Sequence, residues 1–141
     1  MTEHILVAAA WPYANAEIHV GNLTGSYLPA DIFARYQRLR GRQVMFVSGT
    51  DGHGTPITVR ADAEQSTPYE VYQRYHAGFL DLFQKLGLTY DLFTSTHTEN
   101  HKHIAQSVFI ALKNNGYLYK ESQDQWYSPN QQRFLPDRYV E

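Results

Sequence analysis

Ile5-Leu6-Val7-Ala8-Ala9-Ala10 is an unbroken apolar run that begins close to the start of the chain. A run that is apolar on both faces suits a central strand of a parallel sheet, because both sides of such a strand are covered. Pro12-Tyr13-Ala14-Asn15 breaks it. His19-Val20-Gly21-Asn22 follows, and a helical stretch then continues to about Arg40. Pro29 lies inside that stretch. Its ring would press on the carbonyl of Gly25, so the pattern predicts a kink or restart and not the loss of the helix. Arg38, Arg40 and Gly41 supply a C-terminal cap.

Val44-Met45-Phe46-Val47 reads as the second buried strand. It runs into Gly49-Thr50-Asp51-Gly52-His53-Gly54-Thr55-Pro56, a glycine-rich turn opening onto a polar helix. Thr67-Pro68-Tyr69-Glu70 has the form of a capping box with proline at the first helical position. Val71, Tyr75, Phe79, Phe83 and Leu86 then recur at helical spacing until Gly87. Tyr90 to Phe93 is the third candidate strand. Thr96-His97-Thr98-Glu99 is a second capping-box form, before a helix with Ile104, Val108, Ala111 and Leu112 on one face and Gly116 at its end. The residues after Gly116 are rich in Tyr, Gln and Asp and read as short strands or loops. This alternation is the order of a doubly wound α/β parallel sheet. Both unusual loops, 11–22 and 49–56, follow strands, and such sheets bind ligands at the carboxyl ends of strands.

Composition narrows the classes. The chain has 141 residues, 43% of them hydrophobic and 18% charged, which excludes bulk disorder. With 12 basic and 14 acidic residues it lacks the basic excess of a free-standing nucleic-acid binder. Cysteine is absent, so disulfides, thiolate metal sites and a cysteine nucleophile are excluded. The apolar run is too short to span a bilayer and has no basic flank, so no membrane role and a cytoplasmic location are expected.

Three groups of residues could carry chemistry. His19, Gly21 and Asn22 sit where a helix begins, and free backbone N–H groups there attract phosphate. His19 and Asn22 can each donate to phosphate oxygens, which suits charge stabilisation at a phosphorus centre. In isolation the same residues describe a capped helix entry. Asp51, between a strand and a glycine, could hold an ammonium, a ribose hydroxyl or a metal, or could be an N-cap or Asx-turn residue. His53 is equally open. His97 and His101 stand one helical turn apart near His103 and could share a metal, but no carboxylate pattern completes a ligand set, and a solvated helix start explains them as well.

Read in order, the motifs Ala10-Trp11-Pro12-Tyr13-Ala14-Asn15, His19-Val20-Gly21-Asn22, Ala30-Asp31-Ile32-Phe33-Ala34-Arg35-Tyr36, Gly49 to Pro56 and Phe134-Leu135-Pro136-Asp137-Arg138 resemble the N-terminal part of the methionyl-tRNA synthetases, which are class I aminoacyl-tRNA synthetases. His19-Val20-Gly21-Asn22 corresponds to the class signature His-Ile-Gly-His. The resemblance implies a Rossmann-like fold and ligation of methionine to tRNA(Met) through methionyl-adenylate. It implies His19 and Asn22 as catalytic residues and Pro12, Asn15, His19, Gly21 and Asn22 at ATP. Ala10, Trp11, Tyr13 and Asp51 would form the methionine site, with Asp51 on the ammonium. ATP would arrive with Mg2+.

Three departures stand out. Asn22 replaces the second histidine of the signature, and Trp11 stands where leucine is usual. The sequence also stops at Glu141, whereas the family continues with a zinc-bearing insertion, the second half of the fold, a Lys-Met-Ser-Lys-Ser loop and an anticodon-binding domain. The expected division is therefore 1–115 as the first half of the catalytic domain and 116–141 as the start of the connective insertion. Zinc is expected only downstream, with no metal ligands in this chain. An open sheet edge with exposed apolar surface is expected too, and little activity from the 141 residues alone. A non-catalytic truncated relative, binding a nucleotide or a synthetase partner, is the alternative.

Overall fold

The computed structural model describes residues 3–122, 124–130 and 133–134. It divides into two compact units, residues 1–105 and 106–141. The first unit holds β1 (His4–Ala8), α1 (Val20–Asn22), a π turn (Leu23–Tyr27), α2 (Leu28–Leu39), β2 (Gln43–Thr50), α3 (Thr55–Glu64), α4 (Pro68–Lys85) and β3 (Leu92–Ser95). Helix α5 (Glu99–Asn114) begins in the first unit and ends in the second. In the second unit, β4 (Tyr127–Ser128) pairs antiparallel with β5 (Arg133–Phe134), and the rings of Tyr127 and Phe134 meet edge to face at 5.2 Å. Leu135 to Arg138 lie outside the described residues. No described helix is long and apolar enough to cross a membrane.

The sheet of the first unit is parallel throughout, in the order β1-β2-β3. Alternate side chains along each strand point to one face, and that face carries the core. Val7 and Phe46 meet Tyr27 and Ala34 from the π turn and α2, Ile57 and Ala61 from α3, and Val71, Tyr75, Phe79 and Phe83 from α4. The expected α/β architecture with a parallel sheet is thus present. The restart expected at Pro29 is a π turn, in which the Leu28 amide donates to the Leu23 carbonyl. The wider turn lets α2 restart with the proline among its first residues, where a missing N–H costs nothing.

Several boundaries and one environment differ from the sequence reading. β1 ends at Ala8, because the chain then turns towards Pro12; the Ala9 and Ala10 carbonyls accept the Ser48 hydroxyl, each at 3.3 Å. β1 is also not a covered central strand. Among the described residues it is the sheet edge, and Leu6 and Met45 on the uncovered face are 68% and 58% exposed. β3 starts at Leu92, since Tyr90 turns inward to stack on Phe46 at 4.2 Å. Helix α5 is capped by Thr98, whose hydroxyl accepts from the His101 amide at 3.2 Å, and not by Thr96. Arg38 does not cap α2. Gly41, at φ 75°, closes that helix by donating to the Arg38 carbonyl.

Arg38 belongs instead to a polar seam that fastens α2 to the approach to β3. Its guanidinium reaches the Thr89 hydroxyl at 2.8 Å and Asp91 at 2.7 Å. At the centre is buried Asp31, which accepts from the Thr89 amide at 2.7 Å, the Thr89 hydroxyl at 2.6 Å and Arg35 Nε at 2.6 Å. Burial alone would raise this carboxyl's pKa, but Thr89 and Arg35 together hold it below the ordinary 3.8.

Two outcomes follow from this architecture. Asp31→Asn is expected to lower the unfolding free energy at neutral pH by about 1–3 kcal/mol. A depressed carboxyl contributes stability that is full above its unfolded pKa and is lost as pH falls through the folded value. In urea titrations, the gap between wild type and Asp31→Asn should therefore close below about pH 4; a gap that persists there contradicts the charged role. Second, the 141-residue chain should associate as its concentration rises, through the β1 edge and the Leu6–Met45 face. Sedimentation velocity checks this, with Leu6→Lys shifting the equilibrium towards monomer.

Candidate active site

The site is built where β1 and β2 end. Ala8 and Val47 are register partners, so both strands deliver their following loops to the same edge. Pairing then resumes beyond the strands. The Asp51 amide donates to the Pro12 carbonyl at 2.9 Å, and the Ala14 amide donates to the Asp51 carbonyl at 2.9 Å. Tyr13 and Asp51 thus form an isolated parallel bridge. Pro12 has no N–H to offer, and only its carbonyl is needed.

A cleft of about 380 Å³ opens beside this junction. Ala10, Trp11, Pro12, Tyr13, Asn15, His19 and Asn22 line it, so most of the residues singled out in the sequence converge here. Gly21 and Asp51 do not line it. Asp51 lies next door through the Tyr13 bridge, and the Tyr13 hydroxyl is 3.9 Å from where a Cβ on Gly54 would be. Glu17, Ser26 and Tyr27 also line the cleft. Tyr27 is buried, which pushes its phenol pKa up; it closes the π turn, so regular helical spacing does not mark it.

His19 and Asn22 hold each other. The Asn22 amide donates to His19 Nδ1 at 3.3 Å, and the His19 amide donates to Asn22 Oδ1 at 3.2 Å. This is a reciprocal capping box at the start of α1. Because Nδ1 accepts, the neutral ring carries its proton on Nε2. His19 therefore keeps an Nε2–H, and Asn22 keeps its amide NH2, as donors outside the box. Gly21 has a further reason to be glycine: a Cβ there would lie 2.9 Å from the His19 ring. Gly49 does the same for Trp11, whose ring would be 2.8 Å from an added Cβ.

Asp51 is half-buried at the end of β2. It is not an N-cap, since α3 starts after Gly54 and has no side-chain cap. Its Oδ1 accepts the His53 amide at 3.4 Å, a long Asx-type contact.

The three histidines of the α5 region do not form one helical face. His97 precedes α5 and turns to Gly52, whose carbonyl accepts its Nε2–H at 3.0 Å. His101 faces Trp11, at 6.1 Å between rings. Among the described residues, no group of three or more His, Cys, Asp or Glu side chains is placed to hold a metal ion. A zinc site does not fit these residues.

His97 belongs to a cluster that the sequence reading missed. Its ring stacks on Tyr72 at 3.9 Å and on His53 at 4.1 Å. His76 Nδ1 shares a hydrogen bond with the Thr50 hydroxyl at 2.7 Å. Burial, reinforced by His97, holds the His76 pKa below 6.5, so it is neutral at physiological pH. Tyr72 and His76, one turn apart on α4, were the available signal.

The site can be set beside known proteins. A methionine–tRNA ligase of Roseiflexus sp. (strain RS-1) is 57% identical over all 141 residues, which span 24% of its length. One from Thermomicrobium roseum is 54% identical, again with the whole chain spanning 24% of the relative. The chain thus covers about a quarter of the curated relatives it matches. Among solved structures, Mycobacterium tuberculosis methionyl-tRNA synthetase in complex with methionyl-adenylate superposes with a TM-score of 0.84 at 27% identity, over 97% of this chain and 27% of that one. The profile of the family described as tRNA synthetases class I (M) matches residues 5–141, and the chain belongs to that family.

Proposed function

We propose that this chain supplies the ATP-facing and methionine-facing residues of a methionine–tRNA ligase. Residues 1–115 would be the first half of the nucleotide fold, and 116–141 would open the connective insertion. The observation that carries the reading is the His19–Asn22 box, which satisfies each residue's inner groups and leaves two donors at the cleft. The structural neighbour was solved with methionyl-adenylate, the intermediate such a site would form.

In this reading the methionine carboxylate attacks the α-phosphorus of ATP. A new P–O bond forms and pyrophosphate leaves. Negative charge grows on the phosphoryl oxygens, and His19 Nε2–H and the Asn22 amide donate to it. Preorganised donors of this kind stabilise the transition state without reorganising. Pro12, Asn15 and Gly21 would border the nucleotide. Ala10, Trp11 and Tyr13 would enclose the methionine side chain, and Asp51 would pair with its ammonium. No protein nucleophile is needed, since the substrate carboxylate attacks. Magnesium would enter on the ATP phosphates. The amino acid would then pass to the 3′ end of tRNA(Met), in the cytoplasm, with AMP leaving.

In the full-length protein, His19→Ala should slow methionine-dependent pyrophosphate exchange by on the order of a hundredfold, with methionine affinity little changed. An unchanged exchange rate removes His19 from the chemistry. Asp51→Ala should weaken methionine binding by about 2–5 kcal/mol and leave ATP affinity intact, because the ammonium would be left unpaired. Asp51→Asn should fall between the two. If equilibrium binding shows Asp51→Asn holding methionine like wild type, the ammonium role is wrong.

A further inference from the structure

Glycine has the widest backbone freedom of any residue, yet Gly52 separates Asp51 from the amide on which its carboxylate leans. Both peptide groups flanking Gly52 are held from the connection between β3 and α5. The Gly52 amide donates to the Thr96 hydroxyl at 2.9 Å, and the Gly52 carbonyl accepts His97 Nε2–H at 3.0 Å. The next amide, that of His53, donates to Asp51 Oδ1 at 3.4 Å. The direction of the carboxylate is thus tied to a backbone whose freedom Thr96 and His97 remove.

His97 is itself fixed. Its amide donates to the Ser95 hydroxyl at 3.2 Å, and that hydroxyl shares a hydrogen bond with Tyr72 at 2.7 Å. Tyr72 and His53 lie on either contact of its ring, at 3.9 Å and 4.1 Å. The fit leaves no room for a larger residue at position 52, since a Cβ there would be 2.4 Å from His97 and 2.6 Å from Tyr72. Glycine is required for the ring to seat, and the seated ring takes away the mobility that glycine brings.

We infer that His97 and Thr96 are positioning residues for the amino-acid site, holding the Gly52 backbone so that the Asp51 carboxylate faces the substrate ammonium. This rests on the proposed role of Asp51. Neither residue touches the substrate. Support of this kind, from groups that orient the binding group, sets how well a site is preorganised.

The test uses the full-length protein and measures methionine KM and ATP KM by pyrophosphate exchange, together with Tm. His97→Phe keeps a ring for the Tyr72 stack and removes the donor. His97→Gln restores an N–H at the reach of Nε2. Thr96→Val removes the other hydrogen bond with little change of shape. His97→Phe and Thr96→Val should each raise methionine KM roughly tenfold, the scale of one hydrogen bond, with ATP KM near wild type and Tm lowered because a buried Gly52 group loses its partner. His97→Gln should recover most of the loss. If His97→Phe and Thr96→Val both bind methionine like wild type while Asp51→Ala does not, the positioning role is wrong and the Asp51 assignment stands. If Asp51→Ala binds methionine normally, the assignment fails and this inference falls with it. Parallel loss of ATP affinity and methionine affinity in both variants would make the pair general packing residues and overturn the inference.

Discussion

Two backbone hydrogen bonds join the loops beyond β1 and β2, from the Asp51 amide to the Pro12 carbonyl and from the Ala14 amide to the Asp51 carbonyl. Each contributes only about 1 kcal/mol net. Their importance is positional. They extend the parallel pairing past the strands, so that a residue leaving β2 and a residue entering the cleft share one ladder. His19 and Asn22 then follow from the same loop a few residues on, and the core beneath fixes the height of both strands. Because the joint uses main-chain atoms alone, the side chains around it are free to serve a ligand.

A second regularity concerns rings and glycines. His19 lies against Gly21, Trp11 against Gly49 and His97 against Gly52. In each case a Cβ would come within 3 Å of the ring. The site therefore gains rigid, planar groups close to the backbone without a deep cavity. Its polar groups are satisfied inward and directed outward, as in the box formed by His19 and Asn22. The arrangement suits chemistry in which positioning and charge stabilisation carry the acceleration and no protein atom forms a bond.

Much of the framework was legible in the sequence. The apolar runs at 5–10 and 44–47 mark the two adjacent strands, and Thr67 to Glu70 marks the start of α4 by its capping chemistry. Loops 11–22 and 49–56 were recognisable because glycine, proline and polar residues cluster where strands end. Other features depend on the third dimension. The apolar run of β1 indicates a covered strand, whereas the described residues leave Leu6 in the open. Thr96 has the same local pattern as a helix cap, but the Gly52 amide is the donor that reaches its hydroxyl. Spacing placed His97 with His101. Its partners, Tyr72 and Gly52, are distant in sequence, and no local pattern reports them.

The π turn at Leu23–Tyr27 couples the cleft to the core through helical phase. One residue along an α-helix rotates the chain by about 100°. The wide turn accommodates an extra residue between His19-Asn22 and the face of α2 that carries Ala34 into the core. With the residue count unchanged, a replacement that straightened the turn into regular helix would swing one end against the other by about 100°. Removing one residue while the wide turn persisted would do the same. Either the signature residues would leave the cleft or α2 would lose its seat on the sheet. In this segment the width of the turn and the number of residues are thus matched to each other, and a change in either one alone would be felt at both ends.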